Sequence, residues 1–301
     1  MFKGIFPPLT VPFAEDGSIL WGKVESNLQT YLATRLSGFL VLGSNGEAVH
    51  LTDSEKYELV RVVRSCVPED RSFIVGLTAA TLIEAQSFID GLSGMKIDAF
   101  LVSVPSYYKN KMTHTAQATF FNDVADFSNA PILLYNVPQY SGVTLPPLMV
   151  KELSTHPNIV GMKESSGNLI YLQQILDTIE GSGFEVLLGS AQILGPAKFL
   201  GIEAAIVAVA CALPDLPIDV MEGRGGDARQ SQLDLFRVSQ TLTAEHGIAG
   251  LKKAMDLAGY WGGFCRAPLL PLEASAGRAI ENVIGPFVQI AATATSISQR
   301  K

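Results

Sequence analysis

The chain has 301 residues, of which 48% are hydrophobic and 17% are charged, as is ordinary for a globular protein with a sizeable core. Its formal net charge of −7 and its pI near 5.2 argue against nucleic acid or an anionic membrane as the main partner. A small anionic substrate remains compatible with this charge, because a local pocket can be positive inside an acidic protein.

Eight short apolar runs alternate along the chain with longer stretches of helical period. Strands this apolar are typical of a parallel sheet that helices cover on both faces. Their number and even spacing predict an α/β fold, a (β/α)₈ TIM barrel that closes near residue 225. The runs are Gly4–Val11, Gly38–Gly43, Phe73–Gly76, Ala99–Val104, Ile132–Tyr135, Ile159–Lys163, Val186–Gly189 and Ala204–Ala208.

Amphipathic stretches between these runs predict the connecting helices. After residues 223–226 the pattern becomes helical only, which predicts a barrel over residues 1–225 and a C-terminal helical extension over residues 226–301, packed on the barrel. An open doubly wound sheet fits less well, because no GxGxxG motif follows the first strand. The helical stretches are Asp53–Cys66, Leu82–Leu92 and Thr113–Phe127, then Ala228–Glu245, Gly250–Gly259 and a last segment from Ala274.

The sequence carries little sign of disulfides, structural metal or membrane segments. Cys66, Cys211 and Cys265 are odd in number and far apart, without CxxC or zinc-ligand spacing, so we expect reduced thiols in a cytoplasmic protein. The opening stretch MFKGIFPPLTVPF is broken by prolines and lacks the apolar core and cleavage site of a signal peptide. No apolar run reaches the length of a membrane helix.

The stretch NIVGMKESSGN places a lysine, Lys163, at the end of a strand that looks buried on both faces. In a (β/α)₈ barrel the active site lies at the C-terminal ends of the strands. A confined apolar setting favours the neutral amine, which can attack a ketone and form an imine that acts as an electron sink. The alternative is a lysine that reaches solvent or pairs with a carboxylate such as Glu164.

Two further residue types stand near this lysine in the predicted barrel. Tyr135 ends the neighbouring strand, where its phenol either shuttles protons during imine formation or packs over the barrel mouth. Ser165 follows the lysine closely, and it is either a donor to a substrate or a turn-former.

The loop GSNGEA after the second strand offers backbone N–H groups together with the side chains of Ser44 and Asn45. Such a loop can bind a carboxylate, although many turns share this pattern. Glu47 is expected to brace the loop rather than to react. The residues Thr52–Glu55 then predict a capping box that begins the next helix.

Five motifs together resemble, in order and spacing, the pyruvate-dependent class I aldolases of the dihydrodipicolinate synthase and N-acetylneuraminate lyase superfamily. They are GSNGEAVHLT, VPSYY, LYNVP, GMKESSG and LLGSAQ, and the resemblance covers nearly the whole chain. It implies a barrel with a C-terminal helical region and pyruvate as a substrate. It also implies a homotetramer, built as a dimer of dimers, and no metal or organic cofactor.

The resemblance assigns roles position by position. Lys163 matches the Schiff-base lysine, Tyr135 the tyrosine above it, and Ser44 the hydroxyl of a proton relay. One of the pair Tyr107 and Tyr108 matches a tyrosine that reaches the site of a neighbouring subunit. The positions matching substrate-binding residues are Asn45 and Gly46, where the pyruvate carboxylate is held, Ser165, and the pocket-lining Gly189 and Ile206.

Two departures bear on the second substrate. Tyr140 stands where dihydrodipicolinate synthases carry an arginine that grips a carboxylate, a contact worth roughly 1.5–3 kcal/mol. Lys109 or Lys111 is a possible replacement for that cation. The stretches GSNGE, VPSYYKNKM, HPNIVGMKES and GIAGLKKAMDLAGYWGGFCRAPL resemble 4-hydroxy-2-oxoglutarate aldolase, in which Ser165 would contact the substrate.

We therefore expect an aldolase that cleaves a 4-hydroxy-2-oxo acid, such as 4-hydroxy-2-oxoglutarate or a 2-keto-3-deoxy sugar acid, to pyruvate and an aldehyde. The nearer alternative is a dihydrodipicolinate synthase, which condenses pyruvate with aspartate semialdehyde. An alternative of another class is a non-catalytic protein that binds pyruvate or a sugar acid. A metal-dependent aldolase fits poorly, because His50, His114, His156 and His246 are scattered and none ends a predicted strand.

Overall fold

A computed structural model of the protein describes residues 2–224 and 226–298, with side chains up to residue 288. Its eight strands are all parallel and follow the order β1-β8-β7-β6-β5-β4-β3-β2. The ends of this sheet meet, because Pro8 bridges to Leu40 and the amide of Leu9 donates to the Leu40 carbonyl at 2.8 Å. The predicted (β/α)₈ barrel is confirmed.

Each predicted apolar run overlaps one strand, and the bounds differ by one or more residues. The first strand is shorter than predicted, since Pro7 and Pro8 lack the amide N–H that a regular ladder needs. The strands are β1 (Gly4–Phe6), β2 (Gly38–Val41), β3 (Ser72–Leu77), β4 (Ala99–Ser103), β5 (Ile132–Asn136), β6 (Ile159–Glu164), β7 (Glu185–Leu188) and β8 (Ala204–Ile206).

Helices separate the strands and continue after the last of them. The second begins at the predicted capping box, in which Thr52 Oγ1 accepts from the Glu55 amide and the Glu55 carboxylate accepts from the Thr52 amide. The helices are α1 (Trp21–Leu32), α2 (Asp53–Cys66), α3 (Leu82–Gly91), α4 (His114–Phe127), α5 (Pro138–Ser141), α6 (Pro147–Leu153), α7 (Leu169–Thr178), α8 (Leu194–Phe199), α9 (Asp215–Glu222), α10 (Ala228–Ser239), α11 (Gly247–Leu257) and α12 (Ala274–Ser298).

The strands divide the core into two layers, because successive side chains point to opposite faces. In β5, Ile132 and Leu134 pack outward against the helices, whereas Leu133 and Tyr135 point into the barrel. The interior cluster is small and apolar, and Tyr135 lies in it. Its other members include Phe6, Leu40, Ile74, Leu101, Leu187 and Ile206.

The segment after the barrel is helical, as predicted. The predicted helix Ala228–Glu245 is α10 followed by a π-helical turn over Gln240–Glu245. The proposed domain boundary at residue 225 lies outside the described residues, so the division into two units stays a prediction. Within the described ranges, every helix is too short or too polar to span a bilayer.

Candidate active site

Lys163 and Tyr135 occupy facing positions on the neighbouring strands β6 and β5. The Nζ atom of Lys163 lies 3.4 Å from the hydroxyl oxygen of Tyr135 and 4.6 Å from the centre of its ring. Only 4% of Lys163 and 8% of Tyr135 is exposed. The predicted pairing of lysine and tyrosine is therefore present, at the carboxyl ends of the strands and inside the barrel.

Glu164 does not pair with the lysine. Its carboxylate accepts hydrogen bonds from the side-chain amide of Asn136 and from the amide and hydroxyl of Ser166. Burial raises the pKa of Glu164, and these hydrogen bonds oppose that rise. Within the described part of the chain, the hydroxyl of Tyr135 is the one hydrogen-bond partner of Lys163 Nζ, and no carboxylate forms an ion pair with it.

Ser44 extends this pair into a chain of three groups. Its Oγ lies 3.3 Å from the hydroxyl oxygen of Tyr135. Lys163 Nζ, the Tyr135 hydroxyl and Ser44 Oγ therefore form a chain in which each group is within hydrogen-bonding distance of the next. Either hydroxyl can donate to the other. The arrangement can carry a proton between the lysine nitrogen and the loop after β2.

The loop after β2 presents backbone donors at the same place. Residues Ser44–Gly46 form a 3₁₀ turn, in which the Gly46 amide donates to the Gly43 carbonyl at 3.0 Å. The first amides of such a turn, those of Ser44 and Asn45, have no partner within the turn, and backbone donors of this kind can bind a carboxylate. A residue with a side chain would not fit in place of Gly46, because its Cβ would lie 2.8 Å from the carbonyl oxygen of Leu9.

Ser165 and Gly189 are in direct contact across the ends of β6 and β7. A Cβ on Gly189 would lie 1.9 Å from the Ser165 Oγ, so the glycine makes room for this hydroxyl. The Ser165 Oγ is buried and has no hydrogen-bond partner among the described residues. Leaving a buried hydroxyl without a hydrogen bond costs free energy, and a bound ligand would supply the missing partner. Ile206, the remaining pocket position, lies in the interior cluster with Tyr135.

Tyr107 and Tyr108 lie outside the site of their own chain. They are 86% and 68% exposed, and their rings meet edge to face at 4.9 Å. Tyr140, where an arginine was expected, lines the cavity beside Tyr135. Lys109 borders the same segment, because its Nζ is 3.5 Å from the position of a Cβ on Gly142, but it does not line the cavity.

The cavity above Ser44 and Tyr135 has a volume of about 320 Å³. It extends from the barrel to the C-terminal region, which contributes Ile248 and Leu269 to its wall. His50 also lines it. The sequence pattern missed these three residues, because nothing local to them marks a distant contact, and His50 ends no strand.

Glu47, which also lines the cavity, is held by a buried network. Its carboxylate accepts from Lys252 Nζ at 2.6 Å and from the Arg266 amide at 2.9 Å. Burial lowers the pKa of Lys252, and the charge of Glu47 opposes that change. Glu47 adopts a left-handed backbone conformation with φ 53°, which is strained for a residue with a side chain. These bonds hold the loop in that conformation, as expected of a residue that braces it.

The other histidines and the cysteines that the structure describes pair singly or lie apart. The described residues contain no group of three histidine, cysteine or acidic side chains that could hold a metal ion. His114 and His156 instead pair with single carboxylates, those of Glu152 and Asp126. The three cysteines are free thiols.

Similar proteins share this fold over the whole barrel. The model of the dihydrodipicolinate synthetase family matches residues 1–285. The 4-hydroxy-tetrahydrodipicolinate synthase of Methanothrix thermoacetophila is 29% identical over 277 residues, or 91% of this chain and 92% of that protein. The enzyme of the same name from Synechococcus sp. is 30% identical over 288 residues, or 94% and 93%. The crystal structure of the synthase from Cyanidioschyzon merolae with lysine bound superposes with a TM-score of 0.87 at 26% identity, covering 94% of this chain and 97% of that one.

Proposed function

This chain belongs to the dihydrodipicolinate synthetase family, and on that basis we propose that it is a pyruvate-dependent class I enzyme that works through a Schiff base on Lys163. The observation that carries the proposal is the position of Lys163. Its amine is buried without a carboxylate partner among the described residues, and it lies 3.4 Å from a tyrosine hydroxyl at the mouth of a barrel.

In the proposed mechanism the neutral amine of Lys163 attacks the C2 ketone of pyruvate. Tyr135 supplies and removes the protons as the carbinolamine forms and loses water, with Ser44 as the next group of the relay. The backbone amides of Ser44 and Asn45 hold the carboxylate. Loss of a C3 proton from the iminium gives an enamine, which is the nucleophile that bonds to an aldehyde.

Two reactions are candidates, a condensation of pyruvate with an aldehyde and the cleavage of a 4-hydroxy-2-oxo acid. Aspartate semialdehyde is favoured by the relatives, since those named above are 4-hydroxy-tetrahydrodipicolinate synthases. They support this condensation better than they support the aldolase expected from the motifs. Cleavage of a 4-hydroxy-2-oxo acid is favoured by Tyr140 in place of the arginine and by the unpartnered hydroxyl of Ser165. Both reactions pass through the same pyruvate enamine.

The Schiff base is tested by borohydride reduction in the presence of pyruvate, followed by peptide mass spectrometry. We expect a reduced pyruvyl adduct on Lys163, dependent on both reagents. The variant Lys163→Arg keeps the charge but cannot form the imine, and it serves as the control. An adduct on a different lysine, or none, would exclude the proposal.

The choice of aldehyde is tested with a panel of substrates. Ring formation from pyruvate and aspartate semialdehyde is compared with pyruvate release from 4-hydroxy-2-oxoglutarate and from 2-keto-3-deoxy hexonates. The substrate with the highest kcat/KM identifies the reaction. A labelled Lys163 without turnover of any member would instead support the non-catalytic binding protein.

The oligomeric state and the cellular compartment are also part of the proposal. We propose a cytoplasmic homotetramer, built as a dimer of dimers, in which Tyr107 or Tyr108 reaches a neighbouring site. Their large exposure supports this, because an aromatic pair left in water is unfavourable. Sedimentation equilibrium of the purified protein measures the oligomeric state.

A further inference from the structure

His50 lines the cavity and has no part in the proposed Schiff-base mechanism. It ends the second 3₁₀ turn of the loop after β2, Ala48–His50, and its side chain is 19% exposed. Among the described residues that line the 320 Å³ cavity, it is the one side chain that can carry a positive charge. Lys163 is not among the lining residues, and the proposed function assigns its amine, 3.4 Å from the hydroxyl of Tyr135, to the imine.

Glu47 fixes the orientation of this imidazole. The Nδ1 atom of His50 lies 3.2 Å from Oε2 of Glu47, and a carboxylate can only accept, so Nδ1 carries the proton. This leaves Nε2 as the ring nitrogen for a ligand. Glu47 also has a full partner in Lys252, whose Nζ lies 2.6 Å from its other oxygen. Lys252 thus already balances the negative charge of Glu47, and Nε2 of His50 becomes a donor to a carboxylate when the ring takes up a second proton.

Among the described residues that line the rest of the cavity, none has another cationic side chain. Its wall includes Leu42, Leu101, Ile248 and Leu269, and Tyr140 supplies a hydroxyl where a guanidinium was expected. A carboxylate buried against such a wall without a cation or a set of donors is strongly unfavourable. The proposed function assigns the pyruvate carboxylate to the amides of Ser44 and Asn45, so a second carboxylate needs a second site.

We propose that His50, held by Glu47, binds the carboxylate of the second substrate and so replaces the missing arginine at Tyr140. This inference rests on the proposed Schiff-base function. It predicts that the aldehyde partner is an anion, such as glyoxylate or aspartate semialdehyde, bound through Nε2 of His50. Lys109 is the competing cation, but it lies beside Gly142 and outside the cavity wall.

The test compares Michaelis constants in the direction of condensation. The variant His50→Asn keeps a donor toward Glu47 in place of Nδ1 but removes Nε2, and His50→Phe removes both. With glyoxylate and with aspartate semialdehyde as probes, we expect both variants to raise the KM of the aldehyde at least tenfold. The KM of pyruvate and the rate of borohydride labelling of Lys163 should stay within twofold, which also shows that the variants are folded. His114→Asn, at a surface histidine, is the matched control.

Each outcome decides a different point. An aldehyde KM within twofold of the wild type in His50→Asn overturns the assignment, as does an equal rise in the KM of pyruvate. A rise produced by Lys109→Met and not by His50→Asn would assign the carboxylate to Lys109. If the wild-type protein itself shows no pyruvate adduct on Lys163, the proposed function fails and the role of His50 fails with it.

Discussion

Lys252 and Glu47 form a buried ion pair across 205 residues of sequence, with 2.6 Å between Nζ and Oε1. Lys252 also donates to the carbonyls of Val11 and Phe264. The pair ties helix α11 of the C-terminal region to the loop that carries Ser44 and Asn45. The helical extension therefore supports the candidate active site as well as covering the barrel.

The variant Lys252→Met should be strongly destabilised. It leaves the Glu47 carboxylate charged and buried without its ion partner, a change that costs about 3–5 kcal/mol. Chemical unfolding in urea measures the loss. The single variant Glu47→Gln should also be destabilised, and the double variant should lose less than the sum of the two. Strictly additive losses would show that the two side chains do not interact energetically.

The local parts of the fold were predictable because their signals are local. Helix α2 has the bounds that its period and capping box predict, and the alternation of apolar runs predicts the barrel. Lys163 and Tyr135 meet because consecutive strands in such a barrel are neighbours, so their strand-end positions predict their contact.

The parts that could not be predicted depend on distant contacts. Lys252 lies in an amphipathic helix whose period indicates only that the residue is buried. The sequence of that helix does not identify the ion partner of the lysine, which lies in a distant loop. Ile248 and Leu269 reach the cavity for the same reason. The π-helical turn Gln240–Glu245 likewise continues the hydrophobic pattern of an ordinary helix.

The variant Tyr135→Phe should lose activity and keep its fold. The phenol is the one hydroxyl within 3.4 Å of Lys163 Nζ among the described residues, and general acid–base groups contribute about 10²–10⁴-fold to rate. We expect kcat to fall by that factor, with an unchanged thermal melting temperature. Ser44→Ala, one step further along the relay, should cost less. Near-normal turnover in Tyr135→Phe would show that the Tyr135 hydroxyl does not transfer protons in the reaction.

The variant Ser165→Ala separates stability from function. The Ser165 Oγ is buried without a partner in the described structure, so its removal should leave the free energy of unfolding unchanged or increase it by about 1 kcal/mol. If the hydroxyl donates to the substrate, kcat/KM should fall by about tenfold or more. The two quantities are measured on the same preparation by urea unfolding and steady-state kinetics. A loss of stability without a loss of kcat/KM would make Ser165 a turn-former.

Glu55→Gln should change the pH dependence of stability. The Arg266 guanidinium, which contacts both oxygens of Glu55, lowers the pKa of that carboxyl to about 2. A group whose folded pKa lies below its unfolded value near 4.5 contributes stability that is fully present above pH 4.5 and is lost as the pH falls through 2.

The wild type should therefore exceed Glu55→Gln by about 1–2 kcal/mol at pH 7, a discounted value because the pair is partly exposed. Urea unfolding at pH 7, 5, 4 and 3 should show this gap constant down to pH 5 and narrowing below it. Lys56→Gln, which removes only an exposed contact with Asp53 near the start of α2, is the control and should show no such narrowing. A gap that persists undiminished at pH 3 would mean that the carboxylate of Glu55 is not the source of the difference.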